Sequence, residues 1–374
     1  MRTRAAVLAV SPVARPYAET RPLSIEEIEL DGPGHGEVLV RIRAAGLCHS
    51  DLSVINGDRP RPTPMALGHE ASGEVEEVGP GVDDLKAGDH VVMVFMPSCG
   101  HCLPCAEGRP ALCEPGAAAN GAGTLLSGAR RLKWKGGAVH HHMGVSAFAE
   151  RAVVSRRSLV KVTHDIPFDH AALFGCAVLT GVGAAVNTAG LKAGQSLAVI
   201  GLGGVGLAAL LGGVAAGAGA IVAVDPVKEK RDMAMALGAT LVVDPTADDA
   251  VQTVKDATHG GVDAAVEVAG AVRALDFAYR ITRRGGVTVT GGLANPAHTI
   301  DIQQVSLVAE ERTLKGSYIG SCVPVRDIPR YVDLFRAGRL PVDRLMTGKG
   351  PLEEINAGFD ALAEGRAVRH VIEP

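Results

Sequence analysis

The rhythm of hydrophobic and polar positions changes twice along this 374-residue chain. Up to about residue 177, short runs rich in Val and Ile, such as 37–43, 73–78 and 90–95, are broken by Pro and Gly turns. Alternation over runs this short predicts strands, and their close spacing predicts an antiparallel, barrel-like β domain with few helices. Between about 178 and 318, β-rich runs at 196–200, 220–225, 240–243, 263–268 and 286–290 alternate with helical patterns. Strand–helix–strand alternation predicts a doubly wound parallel sheet, so the expected fold class is α/β with a second, β-barrel-like domain. The final segment, 319–374, holds an amphipathic stretch, ends near Val371 and Ile372, and is expected to return to the first domain.

One stretch invites a different reading. Residues 193–224 carry no charge, and about eighteen or more apolar residues can mark a membrane span. Here a glycine-rich turn and an Ala/Leu-rich helical pattern separate two β-rich pieces. A buried strand–helix–strand unit is equally apolar, because its sheet is covered on both faces, and that is the expectation. Composition agrees: 47% hydrophobic residues suffice for packed cores. The 47 glycines, nearly twice the usual share of about 7%, suit many tight turns. A net charge of -4 with mixed signs gives no footprint for nucleic acid or a membrane surface. The first ten residues lack the apolar core and cleavage site of a signal peptide, which makes a cytoplasmic location the default.

In a reducing compartment, seven cysteines point to metal ligands more than to disulfides. Cys99, Cys102, Cys105 and Cys113 crowd together among turn-forming Gly100, Pro104, Gly108 and Pro110. Four such thiolates can close one tetrahedral shell, the pattern of a structural zinc site that holds a small lobe, 95–115, together. Cys48, His69 and Cys176 come from separate parts of the chain, so only folding could unite them. Three protein ligands leave a fourth position open, as a catalytic zinc requires. Singly, each reads equally well as a core residue; their neighbours carry the case. Asp51 could orient the ring of His69 by accepting its free N–H, and Glu70 sits where an acidic group would approach the metal. Cys322 is left over, expected as a small buried apolar side chain. The run His140, His141, His142 leaves open either another metal site or ordinary loop and pocket roles.

Gly201, Gly203 and Gly206, with Gly204 and Val205 between them, form a GxGxxG pattern after a predicted strand and before a predicted helix. Such a turn lets a pyrophosphate rest on the helix N-terminus. Asp225 closes the next predicted strand, where an acidic residue binds the adenosine ribose and repels a 2′-phosphate, favouring NAD over NADP. Asp225 could also be a plain turn residue before Pro226. Lys228 and Lys230 either contact the same ribose or are solvated helix charges.

Together these residues resemble the zinc-containing alcohol dehydrogenases of the medium-chain dehydrogenase/reductase superfamily, over essentially the whole chain. Gly68, His69, Glu70, Gly73 and Gly79 look like that family's zinc signature, the four clustered cysteines its structural-zinc lobe, and 201–206 its coenzyme turn. The resemblance implies a GroES-like catalytic domain at 1–177, a Rossmann NAD-binding domain at 178–318 and a return segment at 319–374. It implies two zinc ions per chain and reversible hydride transfer between a small-molecule alcohol and NAD, giving an aldehyde or ketone. Cys48, His69 and Cys176 would bind the catalytic zinc and Ser50 would begin a proton relay. His49 and Arg369 would contact the pyrophosphate, with Thr180 and Val205 beside the nicotinamide. Phe95, His142, Met143, Leu293 and Tyr318 would line the substrate pocket. The long segment between Cys113 and Phe148 resembles the dimeric members, implying a homodimer joined near 300–316.

Two departures change the expectation. Many relatives end the relay on a histidine where this chain has Ser53, which leaves Ser53, water or His49 for proton exit. His142 and Tyr318 are polar where several relatives are apolar, which weakens a preference for simple aliphatic alcohols. A thiol-adduct, formaldehyde-type dehydrogenase is the runner-up, disfavoured because 114–120 lacks the arginine that would hold the thiol's carboxylate. An aldehyde reductase working in the opposite direction is the other alternative.

Overall fold

Val, Ala and Ile alternate through the first part of the chain as two sheets require. The computed structural model describes residues 1–374, in two units. The first comprises Met1–Cys176, Val323–Pro329 and Met346–Pro374. Within it, strands Arg2–Leu8, Leu23–Leu30, Leu132–Trp134, Gly137–His141 and Met65–Ala66 close a barrel. Only the pair Met65–Ala66 with Gly137–His141 is parallel.

A second sheet runs in the order Leu159–Val162, His90–Met93, Glu70–Val78, Glu37–Gly46, Arg369–Glu373, Met346–Pro351. Val38, Val40, Ile42, Ala71, Val75, Val91 and Met93 of this sheet are buried in one core with Leu352, Ile355, Phe359 and Leu362. Burying side chains of this size stabilises by about 1.5–3 kcal/mol each, so packing anchors the C-terminal segment as firmly as its strand does. Asp360 adds a polar tie, accepting the backbone N–H groups of Tyr17 at 2.9 Å and Ala18 at 2.8 Å. Met346–Pro374 lies in this first unit.

The second unit, Ala177–Cys322 and Arg330–Leu345, holds a wholly parallel sheet. Its order is Leu241–Val243, Ala220–Val224, Ser196–Ile200, Val262–Glu267, Thr282–Thr290, Thr313–Gly316. The order reverses at Ser196–Ile200, the position that opens a crevice for a dinucleotide in such sheets. Residues 193–224 form strand Ser196–Ile200, helix Gly204–Ala215 and strand Ala220–Val224. No helix is long and apolar enough to cross a membrane.

Two features differ from expectation. Strand Thr313–Gly316 completes the sheet, although its half-exposed, polar sequence gives no β-rich run. Residues 330–345 belong to the second unit and not to the return segment. Their buried Tyr331, Val332, Leu340 and Leu345 need apolar cover. Arg339 and Arg344 also donate to the carbonyls of Ala215 at 3.1 Å and Ala236 at 2.8 Å.

Candidate metal centre and coenzyme site

Strand pairing assembles the first cluster. Gly46, at the end of Glu37–Gly46, lies opposite Glu70, the first residue of Glu70–Val78. That register sets Cys48 and His69 side by side just beyond the paired ends. Gly68 holds φ +95°, and a Cβ there would stand 2.5 Å from the Phe148 nitrogen, so the turn presenting His69 accepts glycine alone. Cys176 joins from the segment after helix Phe168–Leu173. The ligand atoms of Cys48, His69 and Cys176 lie within 4.8 Å of one another, all buried.

The His69 ring stands next to Asp51, its Nδ1 3.0 Å from Asp51 Oδ2. A proton on Nδ1 would face that carboxylate and leave Nε2 as a lone pair. Burial opposes ionisation of Asp51, but His69 and His142 hold its carboxyl down, to about 2. The Cys48 thiol is pulled well below its usual range by the Cys176 thiol, with His69 and Arg369 helping against burial. The Cys176 thiol is pushed well above its usual range by Cys48 and by burial. Two thiolates this close repel one another, and a zinc ion between them would relieve that repulsion.

The four clustered cysteines converge likewise, their sulfurs within 4.8 Å of one another. Backbone N–H groups of Cys102 and Cys99 donate to the sulfurs of Cys99 at 3.3 Å and Cys113 at 3.2 Å. Against burial, the amides of His101 and Cys102 pull the Cys99 thiol down to about 6. Burial and neighbouring sulfurs push Cys105 up to about 12. Here too a central dication would let all four ionise.

In the second unit the glycine turn has the shape its spacing requires. A Cβ on Gly206 would stand 1.8 Å from the Gly201 carbonyl oxygen, whereas one on Gly203 would meet nothing within 4 Å. The first permits close helix–strand contact and the second leaves room for phosphates at the start of helix Gly204–Ala215. Asp225 spans this turn: Oδ2 accepts from Leu202 N–H at 2.8 Å and Oδ1 from Val227 N–H at 2.9 Å. It is therefore a turn residue, and each oxygen keeps a lone pair for a ribose hydroxyl. Arg231, unremarked in the sequence, donates to the Asp225 carbonyl at 2.6 Å.

Comparison with known proteins decides what this arrangement is. Residues 34–164 match the alcohol dehydrogenase GroES-like domain and residues 204–337 the zinc-binding dehydrogenase family. Putative alcohol dehydrogenase D of Mycobacterium tuberculosis is 42% identical over 376 residues, covering 100% of both chains. The chain belongs to the zinc-containing alcohol dehydrogenases of the medium-chain dehydrogenase/reductase superfamily. The NDMA-dependent alcohol dehydrogenase of Amycolatopsis methanolica is 41% identical over 385 residues, covering 100% of this chain and 99% of that one. The crystal structure of benzyl alcohol dehydrogenase from Acinetobacter calcoaceticus matches with a TM-score of 0.93 at 32% identity, over 100% and 99% of the two chains. This alcohol dehydrogenase is a zinc-dependent oxidoreductase that works with a nicotinamide cofactor.

The remaining expected site residues of this alcohol dehydrogenase are placed as follows. His49 and Ser50 open helix His49–Ile55, one exposed and one half-buried. Ser53 donates to the His49 carbonyl at 2.8 Å, so its hydroxyl proton is engaged while its lone pairs stay available. Glu70 is buried, and a Cβ on Gly46 would stand 2.4 Å from its Oε1; that second glycine makes room for the carboxylate. Arg369, buried, donates to the Leu47 carbonyl at 3.1 Å and lies 3.8 Å from Glu70. The rings of Phe95 and His142 meet His69 edge-on, with centroids 5.4 and 5.5 Å away, and Met143, next to His142 in sequence, is half-buried. In the second unit Thr180, Val205, Lys230 and Tyr318 are half-buried and Leu293 is 56% exposed. The histidine run separates: His140 Nδ1 lies 3.3 Å from the Ala122 carbonyl, His141 Nε2 accepts from Arg131 N–H at 3.1 Å, and His142 Nδ1 meets Asp51 at 3.0 Å. It is not one metal site. Cys322 is fully buried, as expected.

Proposed function

We propose that Cys48, His69 and Cys176 hold the catalytic zinc, that Cys99, Cys102, Cys105 and Cys113 hold a second, structural ion, and that NAD is preferred over NADP. The observation that carries this reading is the buried triad of donors, with Asp51 3.0 Å from the His69 ring. When bound, zinc supplies Lewis acidity toward the substrate oxygen and nicotinamide accepts the hydride. The chain's own part is orientation and proton handling. Asp51 holds the His69 ring, Glu70 supplies nearby negative charge, and the Ser50 hydroxyl takes the proton leaving the alcohol and passes it toward solvent. Per turnover the alcohol carbon loses a hydride to NAD and its oxygen loses that proton, giving carbonyl product, NADH and one proton.

Metal analysis of freshly purified active enzyme should find two zinc ions per chain; one or none would count against the reading. Asp225→Gly should erode the preference for NAD by at least about tenfold in the ratio of kcat/KM values, one good hydrogen bond to a charged group being worth about 1.5–3 kcal/mol. An unchanged ratio would remove the ribose role. His49 and Arg369 on the pyrophosphate, with Thr180, Val205 and Lys230 around the rest of the coenzyme, complete the proposal. Phe95, His142, Met143, Leu293 and Tyr318 are assigned to the substrate pocket.

Edge strand Thr313–Gly316, with exposed Val305 and Val308 in the same unit, supports a homodimer. The mixed surface charge suits a cytoplasmic enzyme. A panel of aliphatic, aromatic and polyfunctional alcohols and aldehydes, followed by NADH absorbance with and without glutathione and with NDMA as acceptor, would identify the substrate. A requirement for thiol would favour the formaldehyde-type alternative.

A further inference from the structure

Two acidic residues close adjacent strands at the coenzyme end of the parallel sheet. Val224 and Val243 are partners in the ladder, and Asp225 and Asp244 each follow one residue later. Asp225 N–H still donates to the Val243 carbonyl at 3.3 Å. Arg231, near the start of helix Lys228–Ala236, reaches back to both strand ends. Its Nη1 donates to the Asp225 carbonyl at 2.6 Å and to Asp244 Oδ2 at 3.1 Å. The Arg231 side chain is 16% exposed and that of Asp244 35%. Water therefore screens this pair less than it screens Lys228 with Asp232, at 72% and 60%. The other Asp244 oxygen, Oδ1, accepts from the Thr246 amide at 3.0 Å and the Thr246 hydroxyl at 2.6 Å. Those bonds, with Arg231 helping, hold the Asp244 carboxyl below its usual range. It is ionised at neutral pH, and both its oxygens are engaged.

We propose that Asp244 is a specificity-determining residue for the coenzyme: it holds the Arg231 guanidinium on the Asp225 main chain and so withholds it from the 2′-phosphate of NADP. The inference rests on Asp225 as the ribose carboxylate and extends that reading to the end of the next strand. In sheets of this kind a nearby arginine is what accommodates a 2′-phosphate, because its planar fork matches phosphate geometry. This chain has such an arginine, yet one of its nitrogens is already committed to two acceptors and a carboxylate offsets its charge. A 2′-phosphate would meet two carboxylates, Asp225 and Asp244, against the single Arg231 guanidinium. The 2′-hydroxyl of NAD is uncharged and insensitive to that balance. It needs only the lone pairs that the Asp225 oxygens keep. Without the Asp244 charge, one carboxylate would stand against one guanidinium, and the fork would be free to turn from its anchor to the phosphate. If Asp244 merely shaped the turn at Thr246, its loss would weaken both coenzymes alike.

The test measures dissociation constants for NADH and NADPH by fluorescence titration of the full-length enzyme, alongside kcat/KM with each oxidised coenzyme. Asp244→Asn keeps the shape and removes the charge, and Asp244→Ala removes the partner altogether. Each should tighten NADPH relative to NADH by roughly tenfold, the size of one charge-assisted hydrogen bond, with kcat little changed. Adding Arg231→Met to either variant should take that gain away. Asp225→Gly is measured beside them. Circular dichroism reports folding, and if the Ala variant does not fold, the Asn variant with and without Arg231→Met decides. An unchanged NADPH-to-NADH ratio in folded Asp244→Asn, while Asp225→Gly shifts it, would overturn this proposal alone. A gain that survives Arg231→Met would also overturn it, because repulsion by the Asp244 carboxylate would then suffice. An unchanged ratio in Asp225→Gly would sink the ribose reading itself, and the role of Asp244 with it.

Discussion

Cys176→Ser should lower turnover by at least about a thousandfold while leaving NAD binding largely intact. Removing a single preorganised donor from a transition state costs about 10²–10³ in kcat, and losing a Lewis acid removes more than one donor's worth of stabilisation. Serine is nearly isosteric, but its hydroxyl has a far higher pKa than a thiol and does not offer zinc a thiolate. The coenzyme turn belongs to the other unit, Ala177–Cys322 with Arg330–Leu345, and draws its shape from Gly201, Gly206 and Asp225, none of which depends on Cys176. NADH fluorescence titration should therefore give a dissociation constant within about threefold of the parent protein's. Normal turnover in this variant would falsify the catalytic assignment, and loss of both functions would point to misfolding.

The second large effect is expected at the lobe. Cys113→Ser should reduce bound zinc from two ions to one, lower the melting temperature by at least about 5 °C, and open the lobe to proteases. Elements there are too short to stand alone: a helix of four residues, Leu103–Ala106, and a three-residue turn, Pro110–Leu112. Leu103 and Leu112 are 68% and 40% exposed, so little apolar burial replaces the metal. Structural zinc in isolated fingers is worth about 10–16 kcal/mol, and each kcal/mol moves the melting point of a domain this size by about 2–4 °C. Only part of the chain depends on this ion, so the shift should fall well short of the full conversion. An unaltered melting curve with an uncut lobe, at one zinc per chain, would show that the cluster is not a structural site.

How much of this was legible in the sequence depends on distance along the chain. The parallel sheet announced itself through Ser196–Ile200 and Ala220–Val224, because both ladder strands and the glycine turn between them are local patterns. The four clustered cysteines were equally plain, since a ring of ligands within one loop needs no tertiary information. Cys48, His69 and Cys176 were legible only through their neighbours and the family resemblance; their convergence depends on the register that puts Gly46 opposite Glu70.

The approach of His142 to within 3.0 Å of Asp51 was not legible. It spans 91 positions and is set by the parallel pairing of a two-residue strand, Met65–Ala66. The ion pair of Arg369 with Glu70 was hidden for the same reason, joining the last strand to one near the start of the chain. Strand Thr313–Gly316 was missed because an edge strand with half-exposed, polar side chains lacks the apolar signal of a central one. Residues 330–345 were misplaced because an amphipathic helix records that one face is buried, not which neighbour buries it.

An anomalous difference map at the zinc edge, from crystals of the freshly purified protein, tests the central claim most directly. It should show a peak bonded to Cys48 Sγ and Cys176 Sγ at about 2.3 Å and to His69 Nε2 at about 2.0–2.1 Å, with a fourth position held by water or substrate. No peak among those three side chains, or one closed by a fourth protein ligand with and without substrate, would contradict the account.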